Sequence, residues 1–313
     1  MADGTMATEG LAVRDQLPAA KSPSMDAQGK RAAVRVRDVT IPVEDGVTLA
    51  GTLYAPAGAP KRAVLVSAAT GVAQSYYASF ANWLAVERQA LVLTYDYRDS
   101  GASLRGHPRD SDAKLSDWGI PDQVAAFEFL ARAAGDFPVE VVGNSLGGMF
   151  LAFYPEPERI ARAVTVGAGP GNWLAHPLWF TPQILLFWWL IGPLATALLG
   201  YMPGKALGFG ADIPSGVYWE WRRWCLDRRF YQTDYGTSLP YPRPERLTCP
   251  IRIVGVTDDM MITPETAARM ANFYAHADVE HMVVSPEEGG AGSIGHLGLF
   301  HERNKALWPR VFD

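Results

Sequence analysis

The chain has 313 residues, 48% of them hydrophobic and 19% charged, enough to bury the core of one large α/β domain or of a core with an insertion, and disorder is excluded for its bulk. A net charge of −5, with no run rich in Lys and Arg, disfavours nucleic acid as a partner. The two cysteines, Cys225 and Cys249, lack metal-ligand spacing and read as free packing thiols of a reducing compartment.

Residues 1–33, rich in Ala, Gly, Ser and Pro and without a signal-peptide apolar stretch, read as a disordered, non-secretory tail, which predicts a cytoplasmic protein. From Val34 to Tyr54 two β-like runs flank Glu44-Asp45-Gly46, the pattern of an antiparallel hairpin. AVLVSA (63–68) is a continuous apolar strand, 76–89 a helix, and ALVLTYDY (90–97) a second buried strand, which implies a right-handed parallel crossover. The tight loop Ala69-Thr70-Gly71-Val72 follows the first of these strands. It is either a plain turn or the place where the amide of Val72, or of a neighbour, serves as an oxyanion donor. Arg98 and Asp99 leave the second strand and are expected to brace the polar loop that runs to Ser116. A helix follows from about Asp117 to Arg132.

The central stretch is VEVVGNSLGGMF (139–150): an apolar β-rich run, Gly143-Asn144-Ser145-Leu146-Gly147, then an apolar run with no breaker until Pro155. Strand, sharp turn and helix meet at Ser145. Side chains at the flanking glycines would collide with the neighbouring strand or helix, and the Leu146 amide opens the following helix toward a developing oxyanion. The pattern G-x-S-x-G is weak by itself, an ordinary turn with a capping serine being the plain alternative, so context decides.

After one more strand (159–169) the pattern breaks. Residues 170–245 hold seven of the ten tryptophans, and no Asp, Glu, Lys or Arg stands between His176 and Lys205. The length raises a transmembrane reading, but Pro182 and Pro193 argue against a straight span, which would also separate Ser145 from its later partners. The expectation is an inserted cap of two short helices broken at Pro193, with Trp188, Trp189 and Trp221 lining a substrate pocket. A cap whose apolar face dips into a membrane interface is the third reading.

Parallel-sheet character returns at Pro250 with IRIVGV, a helix over 264–277 and the strand VEHMVVS (279–285). Asp258 and Asp259 end the first of these strands, and His296 follows a glycine-rich stretch after the last. A carboxylate and a histidine after successive strands, in the chain order Ser, Asp, His, supply what a serine nucleophile requires. The histidine accepts its proton, and the carboxylate orients and stabilises the imidazolium. Either aspartate fits by position. The remaining histidines (His107, His176, His276, His281, His301) read as structural or solvated, His301 being the rival to His296. No glycine-rich phosphate fingerprint and no metal-ligand cluster is found, so no cofactor and no metal is implied.

The elbow, DYR-x-x-G-x-S, DDMMITPE and GHLGLF together resemble the α/β-hydrolase superfamily, near its serine aminopeptidase and monoacylglycerol-lipase-like branch, over about residues 36–308. The segment GYMPGKALGFGADIP followed by WRRWC is similar to a bacterial group of α/β-hydrolases of undefined substrate. The resemblance implies a mostly parallel central sheet with helices on both faces, a core of 34–169 and 246–313, and an inserted cap of 170–245. It implies Ser145 as nucleophile, His296 as base and Asp259 as acid, Asp259 being preferred to Asp258 because DMMITPE matches the branch's run. Asn144 replaces the histidine common before the serine, and Thr70-Gly71 the usual His-Gly of the oxyanion loop.

The expected function is a cofactor-independent serine hydrolase acting on an apolar acyl ester. Acyl transfer or amide cleavage at the same site, and a non-catalytic lipid- or protein-binding module on the same fold, are the alternatives.

Overall fold

The computed structural model describes residues 34–313 apart from Phe209 and Ala291; the tail expected over 1–33 lies outside the described residues. One eight-stranded sheet holds β1 (Val34–Pro42), β2 (Thr48–Pro56), β3 (Arg62–Ser67), β4 (Ala90–Tyr95), β5 (Val139–Asn144), β6 (Ile160–Val166), β9 (Pro250–Val256) and β10 (Asp278–Val284). Two short strands between β6 and β9, β7 (Tyr201–Met202) and β8 (Ile213–Pro214), form a separate two-residue ladder. The sheet order is β1-β2-β4-β3-β5-β6-β9-β10. The β1–β2 hairpin closes where Val43 donates to the Val47 carbonyl at 2.8 Å; β2 meets β4 antiparallel, and every later pair is parallel.

The central strands are continuous apolar runs because helices cover both faces. All six residues of β4 are buried, as are five of the six in β3 and in β5. The crossover from β3 to β4 carries the helix Ala78–Glu87, whose Phe80 and Leu84 are buried. Charges leaving β4 brace the loop as expected. Arg98 pairs through Nη2 with buried Asp122 at 2.7 Å and through Nη1 with Asp45 at 2.6 Å, and its carbonyl accepts from Trp118 Nε1.

Three expectations about helices are corrected. The helix expected over 264–277 is regular only at Pro264–Ala268 and passes into a 3₁₀ stretch at Arg269–Phe273, whereas the helix expected from about Asp117 to Arg132 is present over 115–134, with a π-helical turn at Trp118–Asp122 around Pro121. The cap segment is one helix from Thr181 to Leu199, not two broken at Pro193. A proline lacks an N–H and its ring crowds the carbonyl four residues back, but the turn Phe187–Ile191 is wound wider, with the Gly192 amide donating to the Phe187 carbonyl five residues back. The irregularity is absorbed without ending the helix.

The third correction concerns the run after Ser145, which forms only two short 3₁₀ turns, Ser145–Gly148 and Leu151–Phe153. Carbonyls that a regular helix would use internally face tertiary donors. Gly148 accepts from the Tyr274 hydroxyl, Met149 from the Tyr231 hydroxyl at 3.1 Å and Ala152 from the Arg243 amide at 2.6 Å. Little helix dipole therefore stands behind Leu146, although its amide is still one of the unpaired donors of a helical first turn.

The segment 170–245 runs between β6 and β9. Its helix Ser215–Leu226 packs against Thr181–Leu199: Trp188 stacks on Tyr218 with ring centres 6.0 Å apart and meets Trp221 edge-on at 5.0 Å. Hydrogen bonds tie the segment to the core, from Ala211 to the Gly71 carbonyl at 2.7 Å and from Ser116 to Glu220 Oε2 at 2.7 Å.

Candidate active site

Ser145 is the one residue of 141–150 that is not buried, and it holds φ at +51°, a left-handed conformation that non-glycine residues rarely adopt. The neighbouring glycines permit the turn. A Cβ on Gly143 would overlap the Gly147 backbone, and one on Gly147 would overlap the backbone of Ser67 on β3. The collision expected between elbow and adjacent strand is therefore real at Gly147, whereas at Gly143 the obstacle is the turn folding back on itself.

Two aspartates end β9, and they do different things. Asp259 is 1% exposed; its Oδ2 lies 2.7 Å from His296 Nδ1, and its Oδ1 accepts from the amides of Met261 at 2.8 Å and Ile262 at 3.0 Å. These bonds hold one carboxylate oxygen and leave the other facing the imidazole. Asp258 instead accepts from the amides of Ile294 at 2.9 Å and Gly295 at 2.8 Å, anchoring the loop that delivers His296. Gly167, just past β6, leaves room for the Asp259–His296 pair, since a Cβ there would stand 3.1 Å from Asp259 Oδ2 and 3.2 Å from His296 Nδ1.

Ser145, His296, Leu146, Thr70 and Val72 line one cavity of about 690 Å³. The serine hydroxyl and His296 share it without a hydrogen bond between them, a looseness common before substrate closes such a site. The Val72 amide closes a turn on the Ala69 carbonyl at 3.1 Å. The amides of Thr70 and Leu146, by contrast, donate to nothing among the described residues, which moves the candidate donor on this loop from Val72 to Thr70.

Asn144, legible in the sequence only as a departure from a family pattern, joins three parts of the site. Its Oδ1 accepts from the Tyr77 hydroxyl at 2.8 Å, and that hydroxyl accepts from the Ala69 amide at 3.0 Å. Its Nδ2 donates to the Val166 carbonyl at 3.0 Å and to the His296 carbonyl at 3.5 Å. The loop after β3, the elbow and the histidine loop are thus linked through one buried amide.

The upper wall of the cavity comes from 170–245. Trp188 and Trp221 line it with Phe180, Ile184 and Phe187, but Trp189 does not: it is 63% exposed, on the outer face, with the Arg222 guanidinium 5.1 Å from its ring centre. Phe187 and Trp188 turn toward the cavity, and the next position along the helix carries Trp189 round to the outer face.

A second histidine, His176, also lines the cavity. His176 Nδ1 lies 3.2 Å from the carbonyl of Met260, next to Asp259, and burial holds the imidazole below its ordinary pKa despite that carbonyl and the Asp259 charge. The neutral ring is favoured. Its sequence signal was faint because the contact spans 84 residues. Cys225 also lines the cavity as a free thiol whose ionisation burial suppresses, and burial pushes the Cys249 thiol up to about 11. His107, His276, His281 and His301 are exposed and lie outside this cavity.

These features sit on a fold with known counterparts. The sequence model of the Alpha/beta hydrolase family matches residues 50–308, and the chain belongs to that family. A curated relative, hydrolase LUC6 of a Fusarium species, is 26% identical over 307 residues, covering 88% of this chain and 70% of its own. Among solved structures, hypothetical protein PA2218 of Pseudomonas aeruginosa superposes with a TM-score of 0.60 at 16% identity, covering 90% of this chain and 92% of its own. The Pyrococcus furiosus esterase Pf2001 gives 0.57 at 15% identity, covering 89% of each chain. Their likeness is one of fold.

Proposed function

We propose that this α/β-hydrolase is a cofactor-independent serine hydrolase that cleaves an apolar acyl ester through an acyl-enzyme on Ser145. One observation carries the reading: a serine held at φ +51° opens into the same apolar cavity as a histidine whose Nδ1 meets a buried carboxylate at 2.7 Å.

In this mechanism His296 Nε2 takes the proton of Ser145 as its oxygen attacks the ester carbonyl, while Asp259 keeps Nδ1 protonated and stabilises the imidazolium. The amides of Leu146 and Thr70 donate to the oxyanion. His296 then protonates the leaving alcohol, and water activated by the same histidine releases the acid. The apolar lining from Phe180, Trp188 and Trp221 favours an aliphatic acyl group.

The test is labelling by a fluorophosphonate and turnover of a series of acyl esters. Ser145→Ala is expected to abolish labelling and to lower kcat by several orders of magnitude, with Ser145→Ala/His296→Ala losing little more because the groups act as a unit. Each added methylene contributes up to about 0.8 kcal/mol, so kcat/KM rises roughly threefold to fourfold per methylene until the pocket is full. Wild-type turnover by Ser145→Ala sinks the mechanism, and a flat chain-length profile sinks the pocket.

A further inference from the structure

The helix Thr181–Leu199 has two apolar faces. One packs inward through Ile184, Trp188 and Thr196; the other leaves Leu186, Trp189, Leu190, Leu194 and Leu198 between 45% and 81% exposed. Leu178 and Trp179, just before it, are 91% and 64% exposed. The mean hydropathy of the helix is 1.6, and only 22% of its most apolar window is buried. Contiguous exposure of this kind marks a surface built to be covered.

We propose that this face docks on the surface of an anionic lipid bilayer, the helix lying in the plane of the interface. Three observations favour lipid over a second protein. At about 80° per residue through the wider turn Phe187–Ile191 and about 100° beyond it, Trp189, Leu190, Ile191, Leu194 and Leu198 spread over roughly 160° of the circumference, wider than the stripe of about 100° that a packed partner helix covers and suited to immersion in a fluid apolar phase. No charged residue stands anywhere from Pro177 to Gly204. Arg222, over the rings of Trp189 at 5.1 Å and Trp219 at 5.7 Å, supplies the aromatic and cationic pair that favours headgroup level.

The charge balance fits as well. In a chain of net −5, residues 170–245 carry six Lys or Arg against five Asp or Glu, and two of those acids, Glu220 and Asp234, are buried against Ser116, Arg223 and Trp224. With Arg223 set aside as the partner of those two acids, five basic residues remain against three acidic ones, a modest positive excess that adds to attraction near an anionic surface. The helix does not span the bilayer, because its inner face lines the cavity; docked, it leaves one helix diameter, about 10 Å, between lipid and cavity.

Sedimentation of the full chain with sucrose-loaded vesicles, of phosphatidylcholine alone or mixed with phosphatidylglycerol, tests this. The wild type is expected to pellet with the mixed vesicles, less at high salt, and to have its tryptophan fluorescence quenched by brominated phosphatidylcholine. Leu190→Glu/Leu194→Glu/Leu198→Glu, exposed positions outside the cavity, should bind on the order of a hundredfold more weakly while melting as the wild type does. Ser145→Ala should bind unchanged, so docking is decided apart from the chemistry proposed for that serine. If the triple variant fails to fold, bromolipid quenching of the wild type decides. A wild type that stays in the supernatant, equal pelleting of the folded triple variant, or a dimer that this variant dissociates while neither chain takes up vesicles, overturns the proposal; the last result would give the face to a second copy.

Discussion

The sheet core and the segment over it use apolar residues in opposite ways. In β3, β4 and β5 every hydrophobic side chain is buried, so hydrophobicity there reports burial. In Thr181–Leu199, residues of the same kinds divide between a cavity wall and an outer surface, as Trp188 at 3% and Trp189 at 63% exposure show. The difference teaches that the core is stabilised by filling space, whereas the covering segment holds apolar surface open on two sides. Variants in each region should therefore fail in different ways.

The largest expected effect lies in the core, where the two aspartates after β9 contrast most. Asp259→Asn should lower kcat on the order of 10⁴-fold, because the asparagine amide no longer holds the imidazole in its working tautomer. Asp258→Asn should cost turnover only about tenfold and act through the loop, since the amides of Ile294 and Gly295 then face a weaker acceptor. Steady-state kinetics on both variants with one ester checks the ranking, and the reverse order would give the acid role to Asp258.

Next comes the comparison within the covering helix. Trp188→Ala should destabilise by about 3–5 kcal/mol, as it empties a site packed on Tyr218 and Trp221. Trp189→Ala should stay within about 0.5 kcal/mol, since it removes a side chain that stands mostly in water. Equal losses in denaturant melts would show that the outer face packs against something in solution.

A smaller effect is expected at the link between regions of the core. Tyr77→Phe leaves the Asn144 carbonyl oxygen and the Ala69 amide without their partner in a buried place, a loss of about 1–3 kcal/mol. If the link also positions the oxyanion loop, kcat falls while KM is unmoved; Tyr77→Phe with wild-type kcat would restrict its role to stability.

The smallest effect belongs to His176 on the covering side. Burial depresses its folded pKa below the unfolded value of 6.5, so as pH falls below 6.5 the unfolded chain takes up a proton that the folded chain resists. Stability associated with this residue is thus present above pH 6.5 and declines as pH drops toward the folded pKa. The Tm of the wild type minus that of His176→Gln should shrink over that interval; a difference independent of pH would mean that the ring protonates freely in the cavity.

How much could be read without the fold follows from the range of the forces involved. Strands covered on both faces declare themselves as unbroken apolar runs, and Gly143-Asn144-Ser145-Leu146-Gly147 declares its turn because steric demands act between near neighbours in the chain. The carboxylate and the histidine were legible as residues ending successive strands of a parallel sheet. Position by itself left Asp258 and Asp259 equivalent and only a resemblance favoured Asp259; tertiary structure, through the turn that follows β9, sends Asp258 to the amides of Ile294 and Gly295 and Asp259 to the imidazole of His296. It likewise sent Trp188 inward and Trp189 outward, engaged the Val72 amide and left that of Thr70 open, and made Asn144 a link between three loops. It let the helix continue through Pro193 on a wider turn. Each of these rests on contacts or windings that composition and periodicity do not encode, since they depend on which surface another part of the chain brings alongside.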